Sequence, residues 1–180
     1  MIKTIFLAIS FLVCTATAAA QTGGDLAVGR TAPDFTLPYA TKDSVSRTPL
    51  HLLDLIGKGN IVLAFYPADW SPGCTKEVCT IRDNFAALEG LDAQVLAISG
   101  DYVWSHQEWA KFHNLSFRLL SDHTHDVAKT YDSYNEKSHY NKRTVYVIDK
   151  RGKIAYLDLA YSVADMGSFN KLKQALAPPK

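Results

Sequence analysis

Residues 61–66 read Ile-Val-Leu-Ala-Phe-Tyr, six apolar or aromatic side chains without a polar break. A strand with one wet face alternates polar and apolar; a run that does not alternate must be covered on both faces. A second run of this kind, Ala93 to Ser99, follows within thirty residues. Between them Ser71-Pro72 opens a segment with Val78, Ile81, Phe85 and Leu88 at helical spacing, closing at Gly90. Two doubly buried strands with a helix between them demand a layered α/β arrangement.

The remaining segments extend that pattern. Asp25 to Leu37 reads as a short extended segment on the core surface, and His51 to Leu55 as a short helical turn ending at Gly57-Lys58-Gly59. Trp104 to Phe112 reads as a second helix with Trp104, Trp109 and Phe112 in its core face. Phe117 to Leu120 reads as a short strand, Asp126 to Tyr131 as a short helix, and Tyr134 to Lys142 as a polar loop. Thr144 to Ile148 and Lys153 to Asp158 form a hairpin around Asp149-Lys150-Arg151-Gly152, and Met166, Phe169, Leu172 and Leu176 mark a last helix. Alternating α and β units that end in an antiparallel hairpin give a mixed central sheet flanked by helices, the order of a thioredoxin-like α/β sandwich.

A cysteine stands where the first of these helices begins. Ser71 suits the N-cap and Pro72 the first helical position, so Cys74 is the third residue of the helix. Free backbone N–H groups and the positive end of the helix dipole meet there, an environment that favours a thiolate. A capped helix carrying an inert buried cysteine fits the same local sequence. The second cysteine, Cys79, follows five residues later. Along a helix that spacing is a rise of about 7.5 Å and a rotation of roughly 140°, placing the Cα atoms about 8.7 Å apart. A disulfide needs about 4.4–6.8 Å. A permanent Cys74–Cys79 bridge is therefore incompatible with the helix that 78, 81, 85 and 88 predict. A transient one requires the first turns to unwind, which favours redox chemistry over stapling.

The N-terminus sets the compartment in which those thiols are expected to work. Lys3, the apolar stretch from Ile5 to Val13 interrupted only by Ser10, and Ala18-Ala19-Ala20 have the order of a secretory signal with an A-x-A cleavage site. Residues 1–20 are expected to be removed, leaving 21–180 as one domain of a size that buries a real core. The apolar stretch is too short to span a bilayer, so no stable membrane insertion is expected. The protein is expected to be exported: periplasmic, or extracellular where the organism has one membrane. Cys14 leaves with the segment, since Val13 before it does not suit a lipoprotein cleavage site. Without Lys3, basic and acidic residues balance at 18 each, which gives no electrostatic ground for binding nucleic acid or an anionic membrane.

These residues together resemble the peroxiredoxin family, most closely the branch named for the bacterioferritin comigratory protein. The resemblance covers nearly the whole chain after the leader. It rests on Ala32-Pro33-Asp34-Phe35; on Phe65-Tyr66-Pro67 followed by Ser71-Pro72-Gly73-Cys74 and Glu77; on Leu120-Ser121-Asp122 with Val127-Ala128; and on Arg143 before Thr144-Val145-Tyr146-Val147-Ile148-Asp149. It implies a thiol-dependent peroxidase without cofactor or metal, acting on hydrogen peroxide and organic hydroperoxides. It implies that Cys74 is the peroxidatic thiolate and that Arg143 holds the thiolate and polarises the peroxide. Ser71 is then the residue that orients the substrate and Pro67 the one that shields the site. Cys79 stands where this branch often has its resolving cysteine. A thioredoxin-like or other dithiol protein is the implied reductant, and the protein is expected as a monomer or homodimer.

Two other readings compete. An exported thiol-disulfide oxidoreductase on the same fold would use Cys-x-x-Cys, whose sulfurs meet without unwinding, whereas this chain has Cys-x4-Cys. A copper-binding protein would add histidine to soft thiolates, and His123 and His125 in Asp122-His-Thr-His-Asp126 are the tempting extra ligands. A solvated loop leading into a helix capped by Thr124 or Asp126 accounts for the same pair. His51, His106, His113 and His139 stand alone in the sequence.

Overall fold

In a computed structural model, which describes residues 26–84, 88–164 and 166–177, the Ile61 run is the centre of a six-stranded sheet. The proposed leader and Cys14 lie outside the described residues.

The strands are β1 (Thr36–Leu37), β2 (Tyr39–Ala40), β3 (Leu50–His51), β4 (Asn60–Phe65), β5 (Ala93–Ser99), β6 (Arg118–Ser121), β7 (Tyr134–Asn135), β8 (Tyr140–Asn141), β9 (Thr144–Ile148) and β10 (Ile154–Asp158). The helices are α1 (Pro72–Asp83), α2 (Val103–Phe112), α3 (Asp126–Thr130) and α4 (Met166–Leu176), with a 3₁₀ turn at Leu52–Leu55. The main sheet runs β10-β9-β4-β5-β6-β2, with β4, β5 and β6 parallel and β9, β10 and β2 antiparallel to their neighbours. This is the mixed sheet flanked by helices that the element order predicts.

The lack of alternation in β4 has its cause in the two cores. Val62, Ala64 and Tyr66 face one side, packed with Cys74, Val78 and Ile81 of α1, Trp109 of α2 and Phe169 and Leu172 of α4. Ile61, Leu63 and Phe65 face the other, against Phe35, Leu52, Ala128, Tyr131 and Tyr146. Each fully buried Leu, Ile, Val or Phe contributes roughly 1.5–3 kcal/mol, so a polar residue at any position from 61 to 66 would be costly whichever way it pointed.

Four local expectations are corrected. Helix α1 ends at Asp83, where Asn84 turns both its backbone N–H and its side-chain amide onto the Thr80 carbonyl, and residues 88 and 89 are helical again before Gly90. Phe85 lies outside the described residues. On α2 only His106, Trp109 and Ala110 are buried, at the i, i+3, i+4 spacing of one face, while Trp104 and Phe112 are exposed. The 134–142 stretch is a small β7–β8 hairpin. Finally, α3 is capped neither by Thr124 nor by Asp126: the buried Asp122 carboxylate accepts from the backbone N–H groups of Val127 and Ala128.

Candidate active site

Ser71 ends the loop after β4 in an extended conformation and caps α1: its hydroxyl oxygen accepts from the Cys74 N–H at 3.4 Å and its proton goes to the Ala68 carbonyl. Pro72 occupies the first helical position, where its missing N–H costs nothing. Cys74 is thereby set in the first turn, fully buried beneath the sheet. Pro67 stands half-buried at the start of the same loop.

The shape of that loop is strained and held. Trp70 has φ 62°, left-handed for a bulky residue, a conformation that costs on the order of 1–2 kcal/mol. Asp69 beside it is anchored in the interior. Its carboxylate accepts from the Tyr66 hydroxyl at 2.8 Å and the Ser105 hydroxyl at 2.7 Å, and lies 2.9 Å from Nδ1 of the buried His106. The Asp69 N–H donates to the Asp101 carboxylate at 2.8 Å. The other His106 ring nitrogen faces the Leu120 carbonyl at 3.2 Å. The cysteine loop is thus tied to the ends just beyond β4 and β5, to α2, and through His106 to β6. Burial, and after it the Asp69 charge, hold the Tyr66 phenol well above its ordinary range.

Arg143 arrives from the residue before β9. Its Nη2 donates to the Cys74 sulfur at 3.2 Å, and its Nη1 donates to Glu77, one turn further along α1. Burial opposes the guanidinium charge, but Glu77 and Cys74 more than restore it, so Arg143 stays cationic. Glu77 is the residue that the pattern of helix and strand did not single out. It is buried beside a partly exposed arginine, and burial raises its carboxyl to about 7 although Arg143 pulls the other way. Its Oε1 has no partner among the described residues. Its place three residues after Cys74 belongs to the motif that carries the family resemblance, but by pattern alone any solvated helix face offers such a glutamate.

Cys79 lies on the same helix, half-buried, and both thiols are free. Its sulfur is 3.8 Å from Nδ1 of His113, the residue that closes α2. The two cysteines do not share an environment: Cys74 faces Arg143, Cys79 faces His113.

His123 and His125 are occupied otherwise. His123 lies 2.8 Å from the Tyr102 hydroxyl and 3.1 Å from the Gly100 carbonyl, and His125 lies 2.8 Å from the Asn141 side-chain oxygen. Among the described residues no group of three or more His, Cys, Asp or Glu is placed to hold a metal ion. No described helix is long and apolar enough to cross a membrane.

The chain and its fold have known relatives. Residues 28–157 match the model of the AhpC/TSA family. A Coxiella burnetii protein named putative peroxiredoxin bcp is 40% identical over 134 residues, covering 71% of this chain and 85% of that one. Peroxiredoxin Bcp of Bacillus subtilis is 36% identical over 133 residues, covering 71% and 81%. Among solved structures, peroxidoxin BcpB from Mycobacterium tuberculosis superposes with a TM-score of 0.74 at 31% identity, covering 84% of this chain and 97% of that one. On these grounds the chain belongs to the AhpC/TSA family, the peroxiredoxins.

Proposed function

We propose that this protein reduces peroxides through Cys74 as the attacking thiolate, with Cys79 as the thiol that resolves the product. As a peroxiredoxin it is a thiol-dependent peroxidase with a peroxide substrate and a thioredoxin-type reductant. The observation that carries the residue assignment is the Arg143 donor on the Cys74 sulfur at 3.2 Å, at the N-terminus of α1. The thiolate attacks one peroxide oxygen, the O–O bond breaks, and the leaving oxygen departs as water or an alcohol after taking a proton. Cys74 becomes a sulfenic acid. Arg143 and the helix N-terminus stabilise the charge that moves from sulfur to the leaving oxygen. Ser71 orients the peroxide, and Pro67 shields the loop from water.

Cys79 then forms a disulfide with Cys74, and a dithiol protein of thioredoxin type reduces it by exchange. The organic or inorganic peroxide and that reductant are the partners; nucleic acid and a membrane are not, and the protein acts as a monomer or homodimer. Export follows from residues 1–20, which carry the features of a cleaved secretory signal. Replacing Cys74 by Ser should abolish peroxide consumption, and full activity in that variant would refute the assignment. Expression of the whole chain in a bacterium should yield a protein in the exported fraction whose N-terminus is Gln21; an intact Met1 in the cytosol would refute export.

A further inference from the structure

Once Cys74 is oxidised, Cys79 must act as a nucleophile, and only a thiolate is one. Neither Arg143 nor the start of α1 is placed to help it, because both serve Cys74. What meets Cys79 is His113. The imidazole sits in an aromatic box: Phe112 stands edge-on at 4.9 Å between ring centroids, Trp109 edge-on at 5.9 Å, and Trp70 tilted at 6.3 Å. Its backbone is clasped from α1 as well, where Arg82 Nη1 donates to the His113 carbonyl at 2.7 Å. Cys79 and Arg82, three residues apart on one helix, thus grip one residue of another.

We propose that His113 accepts the proton of Cys79, so that Cys79 leaves its place in α1 as a thiolate ready to attack oxidised Cys74. The inference rests on Cys79 being the resolving thiol. The charged group that acts on the ring is Arg82 of α1, itself paired with Asp83; α2 and the loop before α1 contribute aromatic rings. Burial first, and the Arg82 charge second, hold the imidazole below its ordinary range. The neutral ring then keeps a lone pair for the thiol proton at neutral pH.

The step balances within the protein. The Cys79 S–H bond breaks and its proton goes to Nδ1 of His113. α1 opens, the thiolate attacks the Cys74 sulfur, the S–S bond forms, and the S–O bond of the sulfenic acid breaks. Hydroxide leaves and becomes water with a proton from solvent, while the imidazolium returns its proton to solvent. Cys79 is oxidised and Cys74 reduced to the disulfide level, with no outside oxidant.

The test uses reduced protein and one equivalent of hydrogen peroxide, comparing the wild type with His113→Gln. Peroxide loss should proceed at the same rate in both, since Cys74 is untouched. Disulfide formation at pH 7 should slow by about tenfold or more, with more sulfenic acid trapped by dimedone. Raising the pH should restore the variant, because the thiol then ionises unaided. A second measurement needs no variant: the wild-type disulfide rate should fall with pH along the titration of the His113 ring followed by NMR. An unchanged rate in His113→Gln, a slowing equal at every pH, or a wild-type profile that ignores His113 would overturn the proposal. Peptide mapping separates the failures: a wild type that never joins Cys74 to Cys79 refutes Cys79 as resolving thiol, whereas normal joining with no His113 effect refutes only this inference.

Discussion

Gly73 and Arg143 approach so closely that a Cβ on the glycine would stand 2.8 Å from Nη2 of the arginine, the same nitrogen that donates to the Cys74 sulfur. The glycine leaves room for the guanidinium to reach across the first turn of α1.

Gly73→Ala therefore tests the arginine without removing it. The clash is with the far end of a flexible side chain, so Arg143 can swing aside and the fold should survive; alanine also suits a helix better than glycine. Losing one charge-assisted hydrogen bond is worth roughly 2 kcal/mol, on the order of thirtyfold in rate. We expect kcat/KM for peroxide to fall by about that factor while Tm holds or rises. An unaltered peroxide rate would show that this contact does not matter to the chemistry.

Glu77 makes stability depend on pH. Its carboxyl is raised by burial from 4.5 to about 7, so folding disfavours the ionised form even with Arg143 beside it. The stability that neutral Glu77 allows is present below pH 4.5 and is lost as pH rises through 7. Glutamine fixes the neutral state. The melting temperature of Glu77→Gln minus that of the wild type should therefore become more positive from pH 5 to pH 8. A gap that stays constant or moves the other way would mean that Arg143 outweighs burial.

Much of this was legible because local pattern carries it. The runs at 61–66 and 93–99 announce doubly buried strands. Ser71-Pro72 announces the helix start that places Cys74, and the 149–152 turn announces the hairpin that brings Arg143 close. What stayed hidden depends on contacts distant in sequence. Nothing near Glu77 signals an arginine sixty-six residues away, and nothing near Cys79 signals His113. Trp104 and Phe112 look like core by composition, but a helix buries one stripe, and His106, Trp109 and Ala110 define it. His106, polar and isolated in the sequence, is buried because Asp69 waits for it.

That pair predicts the mechanical stiffness of the loop. The Asp69 side chain is fully sequestered and accepts from the Tyr66 and Ser105 hydroxyls beside His106, and leaving buried donors of this kind without an acceptor costs about 1–3 kcal/mol each. Asp69→Ala should lower the urea midpoint accordingly. It should also slow peroxide reduction, because Trp70 and Ser71 lose the anchor that holds the strained turn. Equal stability in the variant would show that the network is incidental.

Helix α1 must move during the cycle. Both thiols lie on one continuous helix, where five residues rise about 7.5 Å, beyond disulfide reach. Forming the Cys74–Cys79 bond must break the helical hydrogen bonds between them, the Cys79–His113 contact and the Arg82 clasp on the His113 carbonyl. After one equivalent of peroxide, the backbone amides of residues 76–82 should lose hydrogen-exchange protection while those of β4 and β5 keep theirs. Reduction by a dithiol should restore it. Trp70, packed against His113, should change its fluorescence in step, which gives the rate. In Cys79→Ser the peroxide should still be consumed once, but protection and fluorescence should stay at the reduced values. Full protection of α1 in protein mapped as disulfide-bonded would contradict the geometry on which the cycle depends.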